Sequence, residues 1–163
     1  MQVGELNFVI KSGTSGSVGY SASNLTLPTG SSWKVHHNGR PATLVLKLEK
    51  KSLLWLVKLH NLRTSEVTIW IALQNRKSQY IKVTECQKLA HDRVQDIGMG
   101  YLPCRFIKLR CNSPGPYLSM KCIQLMGLEM ERLSASVGPR LNSLICDQIK
   151  ENLFADDEET KVS

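Results

Sequence analysis

Two adjacent histidines, His36 and His37, lie in the polar segment KVHHNGR together with Arg40. Imidazole is a common transition-metal ligand, but a metal site would need further His or carboxylate donors, and none is close in the sequence. The segment therefore reads either as a ligand-contacting loop or as a solvated loop at the end of a sheet. Cys104 and His91 can be written as a thiol–imidazole nucleophile pair, yet no orienting third group and no oxyanion-hole motif accompanies them. Asp92 and Asp96 are four residues apart and read as solvated acids. GTSGSVG at 13–19 has the glycines of a phosphate loop but lacks the following Lys-Ser/Thr and the helix that such a loop requires. None of these amounts to a catalytic constellation, and no catalytic residue, cofactor or metal is expected.

The basic residues are the most informative polar set. Lys47, Lys50, Lys51, Lys58, Arg63, Arg76, Lys77, Lys82, Arg105, Lys108 and Arg110 fall mostly on outward strand positions or in turns. Gathered on one sheet face they would bind an anion; scattered, they would only guard exposed edges against aggregation. Residues 1–132 carry 18 Lys and Arg against 8 Asp and Glu, a charge of +10. Residues 133–163 carry 3 against 6, or −3, which leaves the chain at +7. A basic body with an acidic tail suits an anionic partner, or a tail that covers a basic face.

Five cysteines (86, 104, 111, 122 and 146) form no CxxC pair and are odd in number. Reduced thiols in a reducing compartment are the expectation. No apolar run approaches the ~18 residues of a membrane helix, so no membrane insertion is expected. No signal peptide is visible at Met1–Lys11, and the expected location is cytoplasmic, with the nucleus as the alternative.

The elements that would position these side chains are strands. Leu6–Lys11 reads as an edge strand, followed by an irregular Gly/Ser-rich loop, Ser12–Ser32, closed by Trp33. Thr43–Glu49 alternates with Leu44, Leu46 and Leu48 on one face. Ser52–His60 alternates with Leu53, Trp55, Val57 and Leu59 on one face, and Glu49–Lys51 between the two is expected to turn a hairpin. Glu66–Leu73 places Val67, Ile69, Ile71 and Leu73 inward and Trp70 outward, in a second packed layer or on a partner-covered surface. Gln79–Thr84, Arg105–Cys111 and Leu118–Met130 complete seven strands, Gly127 marking a bulge or a close backbone approach. Cys86–Gly100 is expected to be a long connection with at most one helical turn. With no helix between strands, the fold class is all-β, an antiparallel sandwich.

The order of a polar loop, Trp33, ATLVLKL at 42–48, LWLVKL at 54–59, RFIKLRC at 105–111 and KCIQLMGLEM at 121–130 resembles the galactose-binding-like superfamily, the discoidin or Doc-type jelly roll. No cysteine precedes Cys86 to close the terminal disulfide of secreted members, and no row of exposed aromatics forms a lipid-inserting spike. The chain is more similar to the intracellular branch, which includes the Doc domain of the anaphase-promoting complex, the amino-terminal domain of the single-strand-break repair scaffold, and amino-terminal domains of ciliary and centrosomal proteins. The resemblance covers roughly residues 4–131. It implies a non-catalytic module that binds through loops at one sandwich end (Ser12–Ser32, His36–Arg40, Asn112–Tyr117), in an intracellular assembly associated with microtubules or the cilium.

Residues 133–138 read as a linker, 139–155 as an amphipathic helix, and 156–163 as an acidic frayed tail. Leu141, Leu144, Ile145, Ile149 and Leu153 form the helix's apolar stripe. Such a helix is marginal alone in water, so its stripe must be covered, by the sandwich or by a partner helix. A partner is expected, because the last strand already completes the sandwich. The candidate partner-binding residues are His36, His37, Arg40, Trp70, Arg105, Lys108, Arg110, Tyr117, Leu144, Ile145 and Ile149. The expected partner is a protein, acidic tubulin tails included; nucleic acid and carbohydrate are the alternatives.

Overall fold

The structure is a computed structural model and describes residues 3–27 and 31–131. The expected linker, helix and tail at 133–163, with Leu144, Ile145, Ile149 and Cys146, lie outside the described residues. Eight strands follow in order: β1 (Gly4–Leu6), β2 (Phe8–Gly13), β3 (Trp33–His36), β4 (Ala42–Asn61), β5 (Glu66–Ala72), β6 (Ile81–Lys88), β7 (Val94–Asn112) and β8 (Tyr117–Glu129). All pairings are antiparallel.

β4 and β7 pair along nearly their whole length and run through two sheets. The first half of β4 pairs with β2 and with the end of β7, which pairs in turn with β5, and β5 with β6. The second half of β4 pairs with the start of β7 and with β8, whose other edge carries β1 and β3. Inward rows from both halves, including Leu44, Leu46, Leu54, Val57, Leu59, Ile107, Leu109 and Leu125, merge into a single core. This is a jelly-roll sandwich, with its loops gathered where β4 begins and ends and a corner where β4 passes between sheets.

The expected hairpin at Glu49–Lys51 is this corner. Lys47 pairs with Phe106 and Ser52 with Cys104, so four residues of β4 face only Arg105 of β7. The Arg105 guanidinium fills the gap, its Nε donating to the Leu48 carbonyl at 2.7 Å. A long charged bulge bends the ribbon without reversing it.

Trp55 is not in the core. Leu54 pairs with Gly127 and Leu56 with Met126, which leaves Trp55 as an extra residue on β4. The bulge reverses the alternation: Leu54 and Val57 point inward, whereas Leu53 lies outside the core and Trp55 is 40% exposed. Opposite it, β7 bulges through Gly100 and Tyr101, both in the left-handed region (φ 66° and 62°), and stacks Tyr101 on Trp55 with ring centroids 6.3 Å apart.

Three further expectations are corrected. Leu6–Lys11 is two strands, broken at Asn7, with β1 joined to β8 and β2 to β4. Cys86–Gly100 is the end of β6, a turn, and the first third of β7, because the left-handed Asp92 (φ 55°) lets the chain reverse. The Ser12–Ser32 loop contains a 3-10 turn, Ala22–Thr26, that plants Leu25 fully in the core.

Candidate binding face and loop end

β5, β6 and β7 bring the basic residues together. Across the outer face, Ser12, Val45, Lys108, Trp70 and Lys82 form one register row spanning five strands, and Thr43, Arg110 and Thr68 form the next. The side chains of one row share a face because each strand alternates with period two. Three cations converge on the half-buried indole of Trp70: Lys108 Nζ lies 5.3 Å from the ring centroid, Arg110 Cζ 5.1 Å and Lys82 Nζ 5.9 Å. Lys108 also stands 5.9 Å from the ring of Tyr80. Each such contact stabilises by about 0.5–1 kcal/mol at an exposed site.

The indole thus fixes three flexible cations in one place. Lys82 is partly neutralised by Glu85 at 3.2 Å, and Glu66, whose carboxyl is held low chiefly by the hydrogen bond and charge of Lys88, feels Arg110 more weakly. Among the described residues, no carboxylate comes within 4.0 Å of Lys108 or Arg110. Arg110 Nε is buried with no acceptor among the described residues. A surface with surplus fixed positive charge and an aromatic floor is suited to an anion.

The loop end is a second concave region. Lys34 Nζ stands 4.8 Å from the ring of Tyr117 and 5.8 Å from that of Tyr20, while His36 stacks on Tyr117 at 4.6 Å. Tyr20, Lys34 and Tyr117, with Arg63, His91 and Pro114–Pro116, border a cleft of about 670 Å³. Asn61, missed in the sequence because it looks like the polar end of a strand, holds this end together. Its Nδ2 donates to the carbonyls of Thr64 (2.7 Å) and Ala90 (2.8 Å), and its Oδ1 accepts from Thr64 N–H.

The predicted residues separate into four groups. Trp70, Lys108 and Arg110 share the basic face. His36 and Tyr117 share the loop end, and Arg40 borders a neighbouring cleft with His37, Asn38 and Pro41. His37 is only 6% exposed, and its Nδ1 donates to the Arg40 carbonyl at 3.0 Å, so it shapes the loop and does not project from it. Arg105 belongs to the corner and not to the basic face.

The thiol–imidazole pair does not form. His91 is at the loop end, 3.3 Å from Ser65 Oγ, whereas Cys104 sits beside the corner, opposite Ser52. Burial pushes the Cys104 thiol up to about 12, which keeps it protonated and non-nucleophilic.

No family model matches the chain, and no curated protein matches it. Solved structures match its fold. Reduced XRCC1, in a structure bound to the DNA pol beta catalytic domain, aligns with a TM-score of 0.66 at 16% identity over 75% of this chain and 97% of that one. A family 32 carbohydrate-binding module (CBM) from C. perfringens NanJ, in complex with galactose, aligns at 0.65 and 16% identity over 77% of this chain and 99% of that one. An F5/8 type C domain of a Bacteroides fragilis protein aligns at 0.61 and 12% identity, over 78% and 97%. The chain has the jelly-roll fold of these structures.

Proposed function

We propose that this chain is a non-catalytic interaction module that docks an acidic segment of a protein partner on the outer face of β7, β5 and β6. The observation that carries the reading is the convergence of Lys82, Lys108 and Arg110 on Trp70. A glutamate- or aspartate-rich strand laid across these rows would meet fixed cations and a flat aromatic floor. The loop end, with Tyr117 in its cleft and His36 and Arg40 in the neighbouring one, would add contacts to the same assembly. The similar fold of XRCC1, seen bound to another protein, supports a protein partner. The residue order shared with ciliary and centrosomal domains supports an intracellular, microtubule-associated setting, in which tubulin tails have the required acidity.

Nucleic acid is the second reading, favoured by the same cations and by the +10 body. Fluorescence anisotropy with a labelled glutamate-rich peptide and a labelled single-stranded oligonucleotide, across a salt series, separates the two. We expect the peptide to bind at moderate salt and Trp70→Ala to weaken it. Tight oligonucleotide binding that falls log-linearly with salt, with no peptide binding, would transfer the face to nucleic acid. The carbohydrate reading rests on the galactose-bound neighbour. Against it, the Tyr117 ring at the loop end is already engaged by His36 and Lys34.

A further inference from the structure

The turn that joins β3 to β4 borders, with Thr14, a cleft of about 550 Å³. Arg40 N–H donates to the His37 carbonyl at 2.9 Å across two left-handed residues, Asn38 (φ 50°) and Gly39 (φ 76°). Asn and Gly are the types that adopt this conformation most readily. The turn fixes the His37 ring, which lines the cleft at 6% exposure. The backbone N–H of His37 donates to the Pro116 carbonyl at 3.1 Å, and its Nδ1 to the Arg40 carbonyl at 3.0 Å. Only Nε2 is uncommitted, buried with no partner among the described residues. A buried polar atom in that state costs stability that an occupant with a matching group would recover.

The remaining polar groups of the cleft are donors in want of an acceptor. The Thr14 hydroxyl accepts from the Thr43 N–H at 2.9 Å, which leaves its own hydrogen to donate. Among the described residues, no ion pair engages the Arg40 guanidinium, and no carboxylate lines the cleft. A guanidinium beside uncommitted donors, with no acid, suits an anion.

The cleft also adjoins the basic face. Thr14 exchanges two hydrogen bonds with Thr43, and Thr43 pairs with Arg110 in the row next to Trp70. Arg40 precedes Thr43 by three residues, at most about 11 Å. An extended segment that crosses the Trp70 and Arg110 rows therefore reaches the cleft within about three further residues.

We infer that the acidic segment docked on the basic face continues into this cleft and seats one carboxylate between the Arg40 guanidinium and His37 Nε2. This deepens the proposed docking and rests on it. The guanidinium presents paired N–H groups to the two carboxylate oxygens. Nδ1 is already donating, so the carboxylate is met by a ring that carries a proton on Nε2 as well. Asn38 and Arg40 are exposed, so their side chains rearrange around the occupant while the backbone of the turn stays fixed.

The His37 ring reports the contact. Nitrogen NMR of the full chain, its histidines labelled with 15N, is recorded near pH 7.5, above the ordinary imidazole value. On saturation with a glutamate-rich peptide, the His37 Nε2 signal should move from the lone-pair position to the protonated one. The signal is assigned by its loss in His37→Asn, or from the ring couplings should that variant not fold. In parallel, Arg40→Gln, a change at an exposed side chain, should weaken the peptide about fivefold. An unchanged Nε2 signal with the peptide bound would overturn the inference, as would equal binding by Arg40→Gln. Either result would leave docking on Lys108 and Arg110 intact. No peptide binding by the parent would overturn that docking and this inference together.

Discussion

Gly127 of β8 lies directly against the backbone of β4: the carbonyl oxygen of Leu53 occupies the space that a Cβ on residue 127 would take, and Leu6 Cδ1 stands 3.0 Å from that point. The close approach sits at the bulge that turns Trp55 outward, and it is backbone, not a flexible side-chain end, that must yield. Gly127→Ala should therefore cost about 1–3 kcal/mol, the range for overpacking a fitted interior. Urea unfolding of the two proteins checks this, and an unchanged midpoint would mean that the strands separate freely here.

Leu46 pairs with Ile10 and Ile107 and is fully buried. Leu46→Asp places a carboxylate in the core without a partner, and the variant should not fold. A soluble variant with a cooperative melt would show that the inward row of β4 is misassigned.

The thiols differ by position. Burial pushes Cys104 and Cys111 up to about 12, from an ordinary value near 9. Burial also raises Cys122, whereas Cys86 is exposed in a β6 bulge with φ 45°. Iodoacetamide on the native protein near pH 8 should alkylate Cys86 and spare Cys104, Cys111 and Cys122, as peptide mapping would reveal. The raised values make the folded state hold protons that the unfolded chain releases, so this contribution is complete below pH 9 and falls between about 9 and 12. Stability measured against pH should decline across that window, and Cys111→Ala should flatten the decline.

Much of this was legible in the sequence, and the failures have local causes. Leu44, Leu46 and Leu48 alternate with Thr43, Val45 and Lys47, and the structure keeps that phase. In Leu53–Val57 both phases are apolar, so alternation could not say which side was inward; only Lys58 and His60 mark the outward side, and they lie beyond the bulge. Glu49–Lys51 has the charge and brevity of a hairpin turn, and whether such a segment reverses a strand or bends it depends on β7, far away in sequence. The outward direction of Lys108, Arg110 and Trp70 followed from period two. Their convergence did not, because it requires the register of β5 against β7. Arg105 breaks the outward pattern because it stands alone opposite the corner.

Lys34 is engaged by Tyr20 and Tyr117. Tyr117→Ala removes the ring shared by Lys34 and His36 and should loosen the loop end without unfolding the sandwich. Amide hydrogen exchange should speed up at Gly115–Tyr117 and Lys34–His36, while Leu44–Leu48 stays protected. A global loss of protection would make the loop end part of the core instead.

The basic face is tested most directly by charge reversal at Lys108 and Arg110, which have no ion pair among the described residues. Binding of a labelled glutamate-rich peptide to Lys108→Glu/Arg110→Glu should fall at least about tenfold relative to the parent, or ~1.4 kcal/mol, while the double variant keeps the parent's cooperative melt. Peptide binding of equal strength by the folded double variant would contradict the account and move the partner site off this face.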